Sequence, residues 1–291
     1  MPGTSSLARG YYGRVMVEIS EGTARNGDIE LPWIRNQVAD GEPLLLVNGL
    51  SSPRVSYEDG FVTELNDRGF DVVRFDNRDA GRATSTNGGY LLVDQASDAV
   101  AVIDAVGWDT AHVFGLSMGG MIVQQLGISY PDRLRSITSL MSATGNRDYG
   151  RPTKEAQTAL LTPSPVEREA WLEHRIATEQ IWASPDHWTP ESSRAKGELM
   201  FDYGVQPRNV MHQYNAIVNS PPREDALREV QLPTLVMHGT KDTLITPSGG
   251  ERTAKIMPNS TYIELDGMGH DTPAFYWPII AGHVADHVAA I

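Results

Sequence analysis

From about residue 40 onward the chain alternates short runs that are apolar on successive positions with longer stretches that are apolar every third or fourth position. The short runs are PLLLVNGL (43–50), FDVVRFD (70–76), AHVFGLS (111–117), LRSITSLMS (134–142), TLVMHG (234–239) and STYIEL (260–265). Runs without a polar face suit strands buried on both sides in a parallel sheet. Between them, YEDGFVTELNDRG (57–69), LVDQASDAVAVIDAVG (92–107), GGMIVQQLGISYP (119–131) and PIIAGHVADHVAAI (278–291) have the spacing of crossover helices. Ahead of these, RVMVEIS (14–20) and DIELPWIRNQV (28–38) read as antiparallel strands joined by a turn in EGTARNG, and residues 1–12 read as a loose tail.

The alternation stops between residues 145 and 228. This stretch is rich in Trp, Glu and Arg and punctuated by Pro163, Pro165, Pro185, Pro190, Pro207, Pro221 and Pro222. It contains helical patterns at 166–184 and 208–220 and no convincing strand. The expected organisation is an α/β core, 1–144 with 229–291, interrupted by a helical cap, 145–228. No internal repeat is visible.

Composition narrows the functional classes. With 24 Lys and Arg against 37 Asp and Glu the net charge is −13, and no basic block occurs, which argues against nucleic acids and anionic membranes as partners. The absence of cysteine excludes disulfides, thiolate metal sites and a cysteine nucleophile. No run approaches the roughly 18 apolar residues of a membrane span, and the first residues lack an apolar signal core. A soluble cytoplasmic protein that needs no cofactor or metal is expected.

One short segment carries chemistry. Gly115-Leu116-Ser117-Met118-Gly119 fits G-x-S-x-G, and it lies between an apolar strand and a helical pattern, the context in which such a serine is thrust out of a tight turn. A glycine-rich phosphate turn is the competing reading of the five residues alone.

Together with LLLVNGL (44–50), DNRDAGRA (76–83), GLSMGG (115–120), LPTLVMHGTKD (232–242) and LDGMGH (265–270), this segment resembles the α/β-hydrolase superfamily over nearly the whole chain. The similarity is greatest to capped esterases such as the aclacinomycin methylesterases, and less to prolyl iminopeptidase-like and haloperoxidase-like members. The resemblance implies an α/β-hydrolase fold, a mostly parallel sheet flanked by helices with an inserted helical cap.

It also implies the roles. A serine needs a base, and the base an orienting carboxylate. Of eight histidines, His270 occupies the base's place, in the loop after the last strand, with His238 as its competitor. Histidines 112, 174, 187, 212, 283 and 287 suit packed or solvated roles. Asp242, three residues beyond its strand, completes the order Ser117, Asp242, His270; Asp266 lies on the wrong arm of its loop. The oxyanion donors implied are the backbone N–H groups of Met118 and Leu50, the latter in Asn48-Gly49-Leu50 where the family often has His-Gly-x. Asp76, Arg78 and Gly81 would brace neighbouring loops.

Met141, Trp182 and Met211, with Leu50 and Met118, could line an apolar substrate pocket, although each could equally be core packing. The expected activity is hydrolysis of a carboxylic ester, lactones and methyl esters included, of a small apolar molecule through an acyl-enzyme. Amidase or aminopeptidase, carbon–carbon hydrolase and perhydrolase chemistry would use the same residues, and a non-enzymatic receptor is the alternative of another class. An aminopeptidase would need acidic residues to hold an amine, for which Glu167, Glu169, Glu173, Glu179 and Glu191 are candidates; the first four also read as a solvated helix face.

Overall fold

The computed structural model describes residues 5–291. Its centre is a nine-stranded sheet: β1 (Ser5–Tyr12), β2 (Val15–Asn26), β3 (Ile29–Val38), β4 (Glu42–Val47), β5 (Phe70–Phe75), β6 (Ala111–Leu116), β7 (Leu134–Leu140), β8 (Thr234–Gly239) and β9 (Ser260–Leu265). The spatial order is β1-β2-β3-β5-β4-β6-β7-β8-β9. β1, β2 and β3 are joined antiparallel, β3 pairs antiparallel with β5, and every later pairing is parallel.

The parallel strands lie where both faces can be buried. In β4, Leu44 and Leu46 point to the side covered by α1 (Asp59–Asn66) and α10 (Trp277–Ala289), whereas Leu45 and Val47 point to the side covered by α2 (Leu92–Ala105) and α3 (Met118–Ser129). This alternation of neighbouring residues between two apolar cores explains why the strand reads as an uninterrupted apolar run. Phe114 of β6 is fully buried against Tyr57 and Phe61, with ring centroids 6.1 and 5.8 Å away.

Two expectations for the N-terminal region need correction. Residues 5–12, read as part of a tail, form the edge strand β1, paired from Ser5↔Glu21 to Tyr12↔Val15; residues 1–4 lie outside the described residues. Backbone pairing to β2 holds a segment whose composition gives little apolar signal. The turn expected across EGTARNG is also far shorter: β2 continues to Asn26 and turns through Gly27-Asp28, with Gly27 at φ +58°. Gly22, read as a turn residue, sits in mid-strand, where a Cβ would come 2.5 Å from the Trp33 ring.

Between β7 and β8 the chain forms α4 (Lys154–Leu161), α5 (Arg168–Trp182), α6 (Pro190–Tyr203), α7 (Val210–Asn219) and the single turn α8 (Glu224–Leu227), with no strand. Its apolar content is small, centred on Trp171, Leu172 and Met200. Local signals help: α6 starts with Pro190 in its first turn, and the Thr189 hydroxyl accepts from the Ser192 N–H at 3.1 Å. Helix α9 (Ser248–Ile256) connects β8 to β9.

The burial contrast is measurable. Phe114→Ala should cost about 3–5 kcal/mol of unfolding free energy, a buried aromatic's value. Leu199→Ala, on a side chain 47% exposed, should stay within about 0.5 kcal/mol. Urea unfolding followed by fluorescence compares them, and equal losses would contradict the core described above.

Candidate active site

The serine's exposure at the turn is a consequence of how closely three backbones cross. A Cβ on Gly115 would lie 2.2 Å from the Gly119 carbonyl oxygen, and one on Gly119 would lie 2.0 Å from that of Val47. Only glycine permits β6 to run into α3 so tightly beside β4. Ser117 itself has φ 54° and ψ −120°, a region that costs a non-glycine residue about 1–3 kcal/mol. The strain is held by the Ser117 N–H donating to Leu140 O at 2.9 Å and by Ser117 O accepting from the Ser142 hydroxyl at 2.8 Å.

His270 and Asp242 come from loops at the same edge of the sheet. His270 Nε2 lies 2.9 Å from Ser117 Oγ, and Nδ1 lies 2.6 Å from Asp242 Oδ2. With the Nδ1–H donated to the carboxylate, Nε2 is left to accept the serine proton. Asp242 is fully buried, and its Oδ1 accepts from the N–H groups of Leu244 and Ile245, each at 2.9 Å. Burial alone would raise its pKa. The adjacent His270 charge and the hydrogen bonds from His238 and His270 outweigh that and hold it at about 2, so the carboxylate is ionised at neutral pH.

His238, the alternative base, lies behind the acid. It is fully buried, with Nε2 2.7 Å from Ile245 O and 3.2 Å from Asp242 Oδ2, and it does not line the cavity at Ser117. The other histidines are elsewhere. His112 bonds Ser136, and burial pushes its pKa down to about 4; His187 stacks on Phe275. Asp266 accepts from Thr240 Oγ1 and forms no hydrogen bond or ion pair with His270.

Leu50 and Met118 bracket the serine. Met118 is the first residue of α3, and its N–H has no carbonyl within the helix to reach. A Cβ on Gly49 would fall 3.3 Å from Ser117 Cβ, so the Asn48–Leu50 loop lies directly against the turn. Asn48 secures that loop where the resemblance led one to expect histidine: its Nδ2–H donates to Pro53 O at 3.1 Å and its Oδ1 accepts from Ser56 Oγ at 2.8 Å. Asp76 accepts from the N–H groups of Arg54 and Arg82 and from Tyr203, and Arg78 is paired through two nitrogens with Asp98. With Gly81 packed on the Asp76 carboxylate, the segment braces loops as expected.

Ser117 and His270 open into a cavity of about 180 Å³, which adjoins a second of about 420 Å³. Met141 lines the first, Trp182 both, and Met211 the second, where it is 44% exposed. The Met118 side chain is different: it is fully buried in the core and receives a long contact from Gln95 Nε2. The residue that starts α3 beside the serine thus turns its side chain inward.

Several residues at the site escaped the sequence reading. The end of α5 is stitched to the histidine loop: the His270 N–H donates to Trp182 O at 2.6 Å, and Ser184 donates to Asp271 Oδ1 from both its N–H, at 3.0 Å, and its hydroxyl. Gln213 of α7, fully buried, accepts from the Ser51 N–H at 2.6 Å and donates to Arg78 O. The one available signal is a polar residue on an apolar helix stripe. Arg175 shares that character, four residues after Trp171 on the face that carries Trp182.

The acidic candidates divide. Glu167, Glu169, Glu173 and Glu191 are exposed, whereas Glu179, grouped with the solvated ones, lines the cavity. Its carboxylate accepts from Arg175 Nη2 at 2.7 Å and from the Ser193 hydroxyl. Among the described residues no cluster of His, Cys, Asp and Glu is arranged to hold a metal ion, and no helix is long and apolar enough to cross a membrane.

Comparison with known proteins agrees with this architecture. The chain is 27% identical over 272 residues to the rhodomycin D methylesterase DauP of Streptomyces sp. (strain C5), covering 85% of this chain and 91% of that protein. The esterase RhEst1 from Rhodococcus sp. ECU1013 matches with a TM-score of 0.77 at 19% identity, over 94% of this chain and 98% of that one. The enol-lactonase from Burkholderia xenovorans LB400 matches with a TM-score of 0.73 at 21% identity, over 92% and 99%. Residues 42–274, a span from β4 to the loop after β9 that includes Ser117, Asp242 and His270, match the alpha/beta hydrolase fold family, and the chain belongs to that family.

Proposed function

We propose that this chain is a serine hydrolase that cleaves a carboxylic ester of a small apolar molecule, with Ser117 as nucleophile, His270 as general base and acid, and Asp242 as its orienting carboxylate. The observation that carries the reading is the hydrogen-bonded series from Asp242 through His270 to Ser117, opening into a cavity. In this mechanism Ser117 Oγ attacks the carbonyl carbon as its proton passes to His270 Nε2. The negative charge forming on the carbonyl oxygen is met by the N–H groups of Leu50 and Met118. Collapse of the tetrahedral intermediate breaks the ester bond, and His270 returns the proton to the departing alcohol. Water then attacks the acyl-serine by the same proton route, releasing the acid and restoring Ser117.

Residues 145–228 act in this reading as a cap on a core made of 1–144 and 229–291, with Trp182, Met141 and Met211 contributing to the substrate pocket. The methylesterase named above supports an ester substrate. So do the two carboxylates that line the cavity: a substrate amine would need a free one, and Glu179 is already engaged by Arg175 and Ser193 and Asp271 by Ser184.

Ser117→Ala should remove activity on a simple activated ester by several orders of magnitude while the fold is retained. Activity within about tenfold of wild type in a folded variant would sink the assignment. His270→Ala should lose as much, and His238→Ala much less; the reverse ranking would move the base to His238.

Asp242→Asn should lower kcat by about 10⁴-fold, because the amide favours the wrong imidazole tautomer. It also has a stability signature. The folded-state pKa of Asp242, about 2, is below the ordinary 3.8, so its ionisation contributes stability that is present above about pH 4 and lost as pH falls through about 2. The gap in unfolding free energy between wild type and Asp242→Asn should narrow across that window in denaturant titrations, and a gap that widens on acidification would contradict the assignment.

Trp182→Ala should alter the ratio of kcat/KM for a bulky and a small ester by about tenfold. An unchanged ratio with a lower Tm would instead assign Trp182 to packing alone.

A further inference from the structure

The last residues of α5 and the two that follow touch both of the arms that carry Asp242 and His270. The Ile181 carbonyl accepts from the hydroxyl of Thr243, the residue after Asp242, at 2.9 Å, and the Trp182 carbonyl accepts the His270 N–H at 2.6 Å. Ser184, which is fully buried, then holds the chain on either side of His270. Its hydroxyl accepts from the Gly269 N–H at 2.9 Å and donates to Asp271 Oδ1, which its own N–H also reaches at 3.0 Å. Three consecutive residues of the histidine loop are thus fixed by a segment inserted between β7 and β8.

Ser184 is itself held. Its carbonyl accepts from the N–H groups of His187 and Trp188, at 3.1 and 2.9 Å, and the His187 ring stacks on Phe275 with centroids 3.9 Å apart. The hydroxyl therefore projects from a closed turn that is docked on the far end of the same loop.

What this adds to the Asp242 contact is a matter of degrees of freedom. The 2.6 Å bond at Nδ1 fixes one end of the imidazole but leaves the ring able to pivot about that bond, and a pivot carries Nε2 away from Ser117 Oγ. Backbone and side-chain bonds at 269, 270 and 271 remove the pivot. Displacing a reacting group by about 1 Å costs about a hundredfold in rate.

We infer that Ser184 is a positioning residue, which acts through the backbone around His270 to keep Nε2 within reach of the Ser117 hydroxyl. It lines neither of the two adjoining cavities, so its effect falls on the chemical step and not on binding. The inference rests on the esterase reading above and adds a residue to its proton transfer. It also gives the end of α5 two duties, because the Trp182 side chain walls both cavities while the adjoining carbonyl and hydroxyl hold the histidine.

Acylation can be read as single-turnover release of the alcohol from an activated ester, and Ser184→Ala should slow it about ten- to a hundredfold. Calorimetric affinity for the same ester in the Ser117→Ala background should be equal with and without Ser184→Ala. In that background the Nδ1–H proton resonance of His270 should move when Ser184 is replaced, since the bond to Asp242 is no longer held in line. Leu172→Ala controls for lost stability: the side chain is buried among the same helices and lines neither cavity, so at a comparable drop in Tm it should keep the acylation rate. If Ser184→Ala does not fold, Ser184→Cys, close in volume and a much weaker hydrogen-bonding group, carries the same test.

An acylation rate near that of wild type, an unmoved resonance, a weakened affinity that accounts for the slower rate, or an equal loss in Leu172→Ala would overturn the inference. The two readings fail separately. A normal rate with an unmoved resonance removes Ser184 and keeps the esterase; a wild type that turns over no ester removes the esterase and leaves the resonance to decide Ser184.

Discussion

A carboxylate with no solvent-exposed surface must find donors for its lone pairs within the protein, and Asp242 finds four. Leu244 and Ile245 serve one oxygen from its own turn; His238 and His270 serve the other from β8 and from the loop after β9. Each donor fixes something else. The turn at 242–245 is set by the first two, and the tautomer and tilt of His270 by the last. His238 holds the carboxylate from behind and also reaches Ile245 O, so its ring plane is determined by two acceptors at once. The ring in turn dictates its neighbour: a Cβ on Gly250 would lie 2.5 Å from His238 Nδ1. One buried charge thereby governs the start of α9, a helix that lines neither of the two adjoining cavities.

The opposite side of the site is governed by steric crowding. Gly115 and Gly119 let β6, α3 and the end of β4 share a volume too small for side chains, and that crossing brings the Asn48–Leu50 loop against Ser117. Asn48, Ser56 and Pro53 close the loop on itself, while Gln213 holds its far side by the Ser51 N–H. Electrostatics thus sets the orientation of the imidazole and packing sets the position of the Ser117 hydroxyl. The two meet at the 2.9 Å contact between His270 and Ser117.

What could be read in the chain follows from this division. Strands β4 to β8 were legible because burial on both faces leaves continuous apolar runs. The serine turn was legible because backbone crowding demands glycine at fixed offsets. Asp242 and His270 were reached through family resemblance, since the contact joining them to Ser117 spans most of the chain. α6 was missed: it buries Ser193, Gly197 and Met200, a stripe with almost no hydrophobic signature. α9 was missed because Gly249 and Gly250 look like a break, although their neighbours Ser142 and His238 require them. Edge strand β1 is held by backbone pairing to the neighbouring β2, which side-chain pattern does not encode, and the polar anchors Ser184 and Gln213 depend on partners far along the chain.

The attachment of α5 to the histidine loop limits how this protein can be remodelled. The N–H that follows Gly269 is bonded to a carbonyl of the helical segment, and a Cβ on Gly269 would lie 2.3 Å from that same Trp182 oxygen. The helical segment is therefore one wall of the mould in which the His270 ring is set. A homologous segment transplanted whole would bring a foreign carbonyl to this position and shift the imidazole whatever its pocket accepts. Recombination is best tolerated when its joints leave Ile181 to Ser184 with the core, so that the native unit of exchange is shorter than the insertion between the strands.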